Sequence, residues 1–154
     1  MATLSARNAF AAGPKMSGNA NVAEKPLVCV VDDDSLIRDS TLRLLRSFGF
    51  RVEAFASAEE FVGSKYFGAT ASLILDVRMS GMTGIELQQQ LASHPRKIPV
   101  IFITAYEDKG MREQAMSEGA TAFLLKPFSE ESLLSAIDAA LTSQANVKRN
   151  PRND

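Results

Sequence analysis

The sequence predicts an α/β fold: a doubly wound, five-stranded parallel sheet with five helices on its two faces. Two observations carry the prediction. Four short aliphatic runs, at 28–31, 73–75, 100–103 and 123–125, show no polar alternation, as expected of strands covered on both faces of a parallel sheet. Between them lie segments with the apolar spacing of helices, opened by Ser, Thr or Asp side chains able to cap them. Right-handed crossovers leave few topologies for such a chain. Of these, the order 2-1-3-4-5 sets strands one and three on either side of the point where strand order reverses.

Each element follows from its own residues. The first strand runs into Asp32, Asp33 and Asp34. Asp34 and Ser35 offer an N-cap to a first helix carrying Leu36, Ile37, Leu42, Leu44, Leu45 and Phe48, and Gly49 is placed to end it. A weaker second strand is expected at 51–55. Ser57 and Glu60 have the spacing of a capping box and open a second helix at 57–65, while Thr83 and Glu86 repeat that spacing for a third helix at 83–93. Between these helices, the third strand ends at Asp76. The fourth strand ends at Thr104, and a helix at 107–118 stops at Gly119. The fifth strand ends at Lys126-Pro127, after which Ser129 to Ser132 open a last helix carrying Leu133, Leu134, Ile137 and Leu141.

With 154 residues and 45% apolar content, one globular domain is expected, spanning 26–142, with tails at 1–25 and 143–154. The first tail has alanines, glycines and asparagines without the apolar stretch of a secretory signal, and a flexible tail is expected there. The second reads as a tail or the stub of a linker. Residues 26–147 hold 11 Lys and Arg against 16 Asp and Glu, a net −5, while each flank contributes about +2. An acidic domain offers no footprint for nucleic acid. The single cysteine, Cys29, falls inside the first strand, where a free thiol behaves as a small hydrophobe. Disulfide architecture is excluded, and a reducing cytoplasm is the expected location. No run approaches the roughly 20 apolar residues that span a bilayer, so a soluble protein without a membrane partner is expected. His94, the only histidine, precedes Pro95 near a helix end and lacks partners for a zinc site.

Strand ends in an open parallel sheet lie along one edge, and ligands bind outside that edge. Asp32, Asp33, Asp76, Thr104 and Lys126 would therefore meet. Two unit charges about 4 Å apart repel by roughly 4 kcal/mol at an effective dielectric near 20. Such a cluster is relieved by protonating one acid or by capturing a hard cation. Mg2+ suits it, because it keeps several waters and needs only one or two carboxylates besides incoming phosphate oxygens.

These residues carry a resemblance. Val-Asp-Asp-Asp at 31–34, Leu-Asp-Val-Arg-Met-Ser-Gly-Met-Thr-Gly at 75–84, Phe-Ile-Thr-Ala at 102–105 and Lys-Pro-Phe at 126–128 resemble the receiver domain of bacterial two-component response regulators. The likeness is greatest to receivers that precede helix-turn-helix DNA-binding domains, although no such domain follows in this sequence. It covers about residues 26–142 and implies a flavodoxin-like fold. It also implies that Asp76 is the phosphoacceptor, fed by a sensor histidine kinase or a histidine phosphotransfer protein. The implied Mg2+ ligands are Asp33 directly, Asp32 through water, Asp76, and the Arg78 backbone carbonyl. Lys126 would balance phosphoryl charge, and Thr104 would hydrogen-bond a phosphoryl oxygen. The implied switch couples Thr104 to Phe123, where the family more commonly has tyrosine; phenylalanine removes the hydroxyl. Arg78 and Tyr106 occupy places that govern phosphate lifetime. The output face, and a possible homodimer, would use helix four, strand five and helix five, with Met111, Met116 and Phe128 as candidate apolar contributors. A cis Lys126-Pro127 bond is also implied. Ser80 departs from the family's common proline, which loosens the segment after Asp76.

Two other readings compete. A haloacid-dehalogenase-like phosphatase would use Asp32 and Asp34 with Thr104 and Lys126, but it lacks a late acidic pair at a strand end and leaves Asp76 without a purpose. A phosphorylation-independent interaction module would not need the acceptor and the lysine. The receiver, a non-enzyme, is the reading that uses every one of these residues.

Overall fold

The computed structural model describes residues 25–106 and 108–149, with side chains as far as Ser143. Five strands, β1 (Leu27–Val31), β2 (Arg51–Phe55), β3 (Thr70–Asp76), β4 (Val100–Thr104) and β5 (Ala122–Leu125), form one sheet in the order β2-β1-β3-β4-β5. All neighbours are parallel. Five helices follow the strands in turn: α1 (Ser35–Ser47), α2 (Ala58–Val62), α3 (Gly84–Ala92), α4 (Lys109–Ser117) and α5 (Glu130–Arg149). The fold class and strand order match the expectation.

Strand residues alternate between two cores because successive side chains leave opposite faces of the sheet. Cys29, Val31, Leu73, Leu75, Val100 and Phe102 pack with Phe61 of α2, Leu87 and Leu91 of α3 and Ala115 of α4. Val28, Val30, Ile74, Ile101 and Ile103 pack with Leu45 of α1 and Leu133, Ile137 and Ala140 of α5. β1, β3 and β4 are buried along their whole length, apart from Ala71 in β3, which is why their sequences carry no alternation.

Helix ends follow the expected caps, with instructive departures. Asp34 Oδ1 accepts from the N–H groups of Leu36 and Ile37, and Gly49 leaves α1 with φ +90°. Thr83 and Glu86 form the full reciprocal box on α3. At α2 the reciprocity fails: Ser57 Oγ accepts from Glu60 N–H, but the Glu60 carboxylate takes the N–H of Ala56 rather than that of Ser57. α2 is also shorter than expected and ends at Val62, where Gly63 follows and a 3-10 turn at Phe67–Ala69 leads into β3. The expected start of α4 at Glu107 lies outside the described residues; Asp108 caps it through Met111 N–H. α5 continues through the expected boundary at 142 to Arg149, since no helix breaker precedes Pro151. Leu36, assigned to the apolar stripe of α1, is 79% exposed, because it lies about 180° around the helix from buried Leu45, whereas its neighbour Ile37 packs against the core.

Candidate functional site

Register brings the strand ends together. Val31 lies opposite Leu75 and Asp76 opposite Ile103, so Asp32 leaves β1 beside the last residue of β3, with Thr104 one step beyond on β4. Thr104 pairs with Leu125, and Lys126 N–H donates to the Thr104 carbonyl at 2.7 Å. One carboxylate oxygen from each of Asp32, Asp33 and Asp76 lies within 4.8 Å of the others. The Lys126 ammonium reaches Asp32 Oδ2 at 3.0 Å and Asp76 Oδ2 at 3.5 Å. Asp32, Asp33, Asp76 and Lys126 are thus brought together, with Thr104 at the end of the neighbouring strand.

The surroundings set the charges. Asp32 is fully buried and Asp76 nearly so, while Asp33 faces solvent. Asp32 Oδ1 accepts from Asp34 N–H at 2.9 Å and Asp76 Oδ1 from Arg78 N–H at 3.3 Å. Burial, then a hydrogen bond with Asp32 and that group's charge, push the Asp76 carboxyl up to about 7 against the downward pull of Lys126 and the Arg78 N–H. Burial alone would lower the Lys126 ammonium, but the hydrogen bond to Asp32 and the charges of both carboxylates outweigh it and hold the group above its ordinary value. The one described ammonium at the site faces three carboxylates, so negative charge is left over. Oxygen donors at this density fit a hard divalent cation.

The remaining expected residues are placed around this centre. The Arg78 guanidinium lies 4.4 Å from the centroid of the Tyr106 ring, a cation–π contact between the segments that follow β3 and β4. Thr104 Oγ1 accepts from Tyr106 N–H at 3.2 Å, which leaves its own hydroxyl hydrogen available. Phe123 is buried beside Phe102, with ring centroids 6.1 Å apart, and its carbonyl accepts from Arg112. Met111 and Phe128 pack partly against the two cores, whereas Met116 is exposed. The Lys126-Pro127 bond is cis. His94 packs its ring against Phe67 and accepts from Arg96 N–H; the group of acids at 32, 33 and 76 does not include it.

Asp34 is occupied as a helix cap, so the pair of acids that the phosphatase reading requires does not face one site. Three contributors were not foreseen. A Cβ on Gly84 would collide with the Asp76 carbonyl oxygen, so only glycine lets α3 begin so close to the end of β3. Arg38, one turn into α1, donates to the Asp32 carbonyl at 2.8 Å. Glu59 of α2 accepts from Met82 N–H in the segment after Asp76. Nothing local in the sequence signals the Glu59–Met82 contact, which joins residues 23 positions apart.

Comparison with known proteins agrees with this geometry. Residues 28–138 match the family model described as response regulator receiver domain. The chain is 43% identical over 123 residues to Nodulation protein W of Bradyrhizobium diazoefficiens, covering 80% of this chain and 54% of that protein. It is 41% identical over 125 residues to Transcriptional regulatory protein TdiR of Thauera aromatica, covering 81% and 53%. The chain thus spans about half the length of these curated relatives. Among solved structures, Response Regulator StyR superposes with a TM-score of 0.74 at 44% identity, covering 84% of this chain and 65% of that one. FixJ-N superposes with a TM-score of 0.70 at 34% identity, covering 76% and 94%.

Proposed function

The chain belongs to the response regulator receiver domain family of two-component signalling, and from that membership and the site geometry we propose that Asp76 accepts a phosphoryl group from a histidine kinase or a histidine phosphotransfer protein. One observation supports the assignment: Asp32 and Asp76 share the Lys126 ammonium and, with Asp33, the acidic cluster, and of the two it is Asp76 whose side chain is not fully buried, at 8% exposure against 0% for Asp32. Asp32, Asp33, Asp76 and the Arg78 carbonyl are the residues that would hold Mg2+. When bound, the ion offsets the carboxylate charge and that of the phosphoryl oxygens.

In the transfer, an Asp76 carboxylate oxygen attacks phosphorus in line, forming an acyl phosphate as the bond to the donor imidazole nitrogen breaks and that nitrogen keeps the electron pair. Lys126 sits at the Oδ2 side of Asp76 and lowers the cost of charge on the equatorial oxygens. Thr104 supplies a hydroxyl donor to one of them. The chain acts as a stoichiometric acceptor rather than a turnover enzyme, in the cytoplasm. A shift of Thr104 toward the phosphoryl group changes the packing of Phe123, and Arg78 with Tyr106 sets how readily water reaches the acyl phosphate. Output passes through α4, β5 and α5, where Met116 and Leu125 are exposed, to a second copy of the chain rather than directly to nucleic acid.

Incubation with acetyl phosphate and Mg2+ tests the assignment. Intact-mass measurement should show one added phosphoryl group on the parent and on Asp32→Asn, none on Asp76→Asn, and none when the metal is chelated. Labelling that survives in Asp76→Asn but disappears in Asp32→Asn would transfer the role to Asp32.

A further inference from the structure

The segment between Asp76 and α3, residues 77–83, must be held still if it is to present Arg78 to the acidic cluster. It contains no proline to fix a backbone angle and includes Gly81 at φ +76°, the least restricted residue type. Its near end is tied to the site, because Ser80 N–H donates to Asp33 Oδ2 at 3.4 Å. The far end is closed by the Thr83–Glu86 box and by Gly84 N–H donating to the Val77 carbonyl.

Between those ties the support comes from another layer of the fold. Glu59, in the first turn of α2, extends its carboxylate to Met82 N–H at 3.0 Å. The same carboxylate lies against the turn itself, since a Cβ on Gly81 would stand 3.1 Å from Glu59 Oε2. α2 is fixed in turn by its Ser57 cap and by Phe61, which is fully buried in the core. The tether is therefore anchored at both ends.

We infer that Glu59 is a positioning residue for phosphoryl acceptance: by holding Met82 N–H it fixes the segment after Asp76 and so preorganises the metal-binding carboxylates and carbonyl. The inference rests on the proposed assignment of Asp76 and its Mg2+ site. Glu59 touches neither metal nor phosphate. Loss of a supporting contact behind a metal site typically weakens the metal, and because this one acts through an exposed backbone N–H, its effect is set at the low end.

The test uses the full chain with Glu59→Ala and Glu59→Gln, and reads Mg2+ affinity by calorimetry in the absence of any phosphodonor. Glu59→Ala should weaken Mg2+ binding about tenfold and raise hydrogen exchange at the Met82 amide, while Glu59→Gln, which keeps an acceptor oxygen but no charge, should stay within about twofold of the parent. Acetyl phosphate labelling of Glu59→Ala should be slow at low Mg2+ and recover at saturating Mg2+. Equal affinity in the parent and Glu59→Ala overturns the inference. Equal weakening in both variants also overturns it, since the effect would then be one of charge. A parent that binds no Mg2+, or labelling that persists in Asp76→Asn, removes the underlying assignment instead and is recognised without either Glu59 variant.

Discussion

Asp76 is asked to be a nucleophile in a place that resists its charge. With its carboxyl raised to about 7 from an ordinary value of 3.8, the native state binds more protons than the unfolded chain between those values. Stability contributed by this group is then fully present below about pH 4 and lost as pH rises toward 7. Relative to Asp76→Asn, the metal-free parent should lose roughly 3–6 °C of melting temperature between pH 5 and pH 7.5. Millimolar Mg2+ should restore most of that loss at pH 7.5 and little at pH 5; parallel melting profiles for the two proteins would refute the electrostatic account. The Arg78–Tyr106 contact yields a second expectation at this scale. If the pair acts as a unit, phosphoaspartate decay in Arg78→Ala, Tyr106→Ala and the double variant should be non-additive, each single variant giving most of the change seen in the double. Decay identical to the parent in all three would deny the pair any influence on lifetime.

Helix starts do more here than stop fraying. α1, α3 and α4 begin directly after the strand-end segments, and their caps fix where the site residues point. Thr83→Ala should cost about 1 kcal/mol through loss of the cap. Gly84→Ala should cost more, roughly 1–3 kcal/mol, because its methyl group would meet the Asp76 carbonyl and the Phe102 ring. Urea unfolding with an unchanged slope measures both, and a Gly84→Ala variant as stable as the parent would mean that α3 can retreat from β3 at no cost. These caps were legible because they are local: a Ser, Thr or Asp and its partner stand two or three residues apart. The half-formed box at Ser57 marks the limit of that logic. Spacing allows Glu60 to reach back, and only the path of the chain before α2 decides that it meets Ala56 N–H.

The whole domain is a sheet with two cores, one under α1 and α5 and the other under α2, α3 and α4. The proposed output face includes α4 and part of α5, one helix from each layer, at the β5 edge. Exposed Met116 and Leu125 lie on that side, and partial exposure of these two alone is a small apolar area for stable association. Light scattering should therefore find the unphosphorylated chain monomeric at micromolar concentration, and a phosphorylated or beryllofluoride-treated chain shifted toward dimer. Unchanged mass after confirmed modification of Asp76 would exclude self-association as the output. Among the described residues, no helix is long and apolar enough to cross a membrane.

The sequence alone determined the order of elements, the strand order and the residues that gather at one sheet edge. It could do so because burial on both faces writes uninterrupted apolar runs, and a parallel sheet delivers every strand end to the same side. Tertiary structure decided what depends on distance between remote segments. It set Asp76 among groups that raise its proton affinity, stacked Arg78 on Tyr106, required glycine at 84 and brought Glu59 to Met82. It also left Leu36 in solvent, because packing turned the face of α1 that carries Ile37, Thr41 and Leu45 toward the core and Leu36 lies on the opposite side.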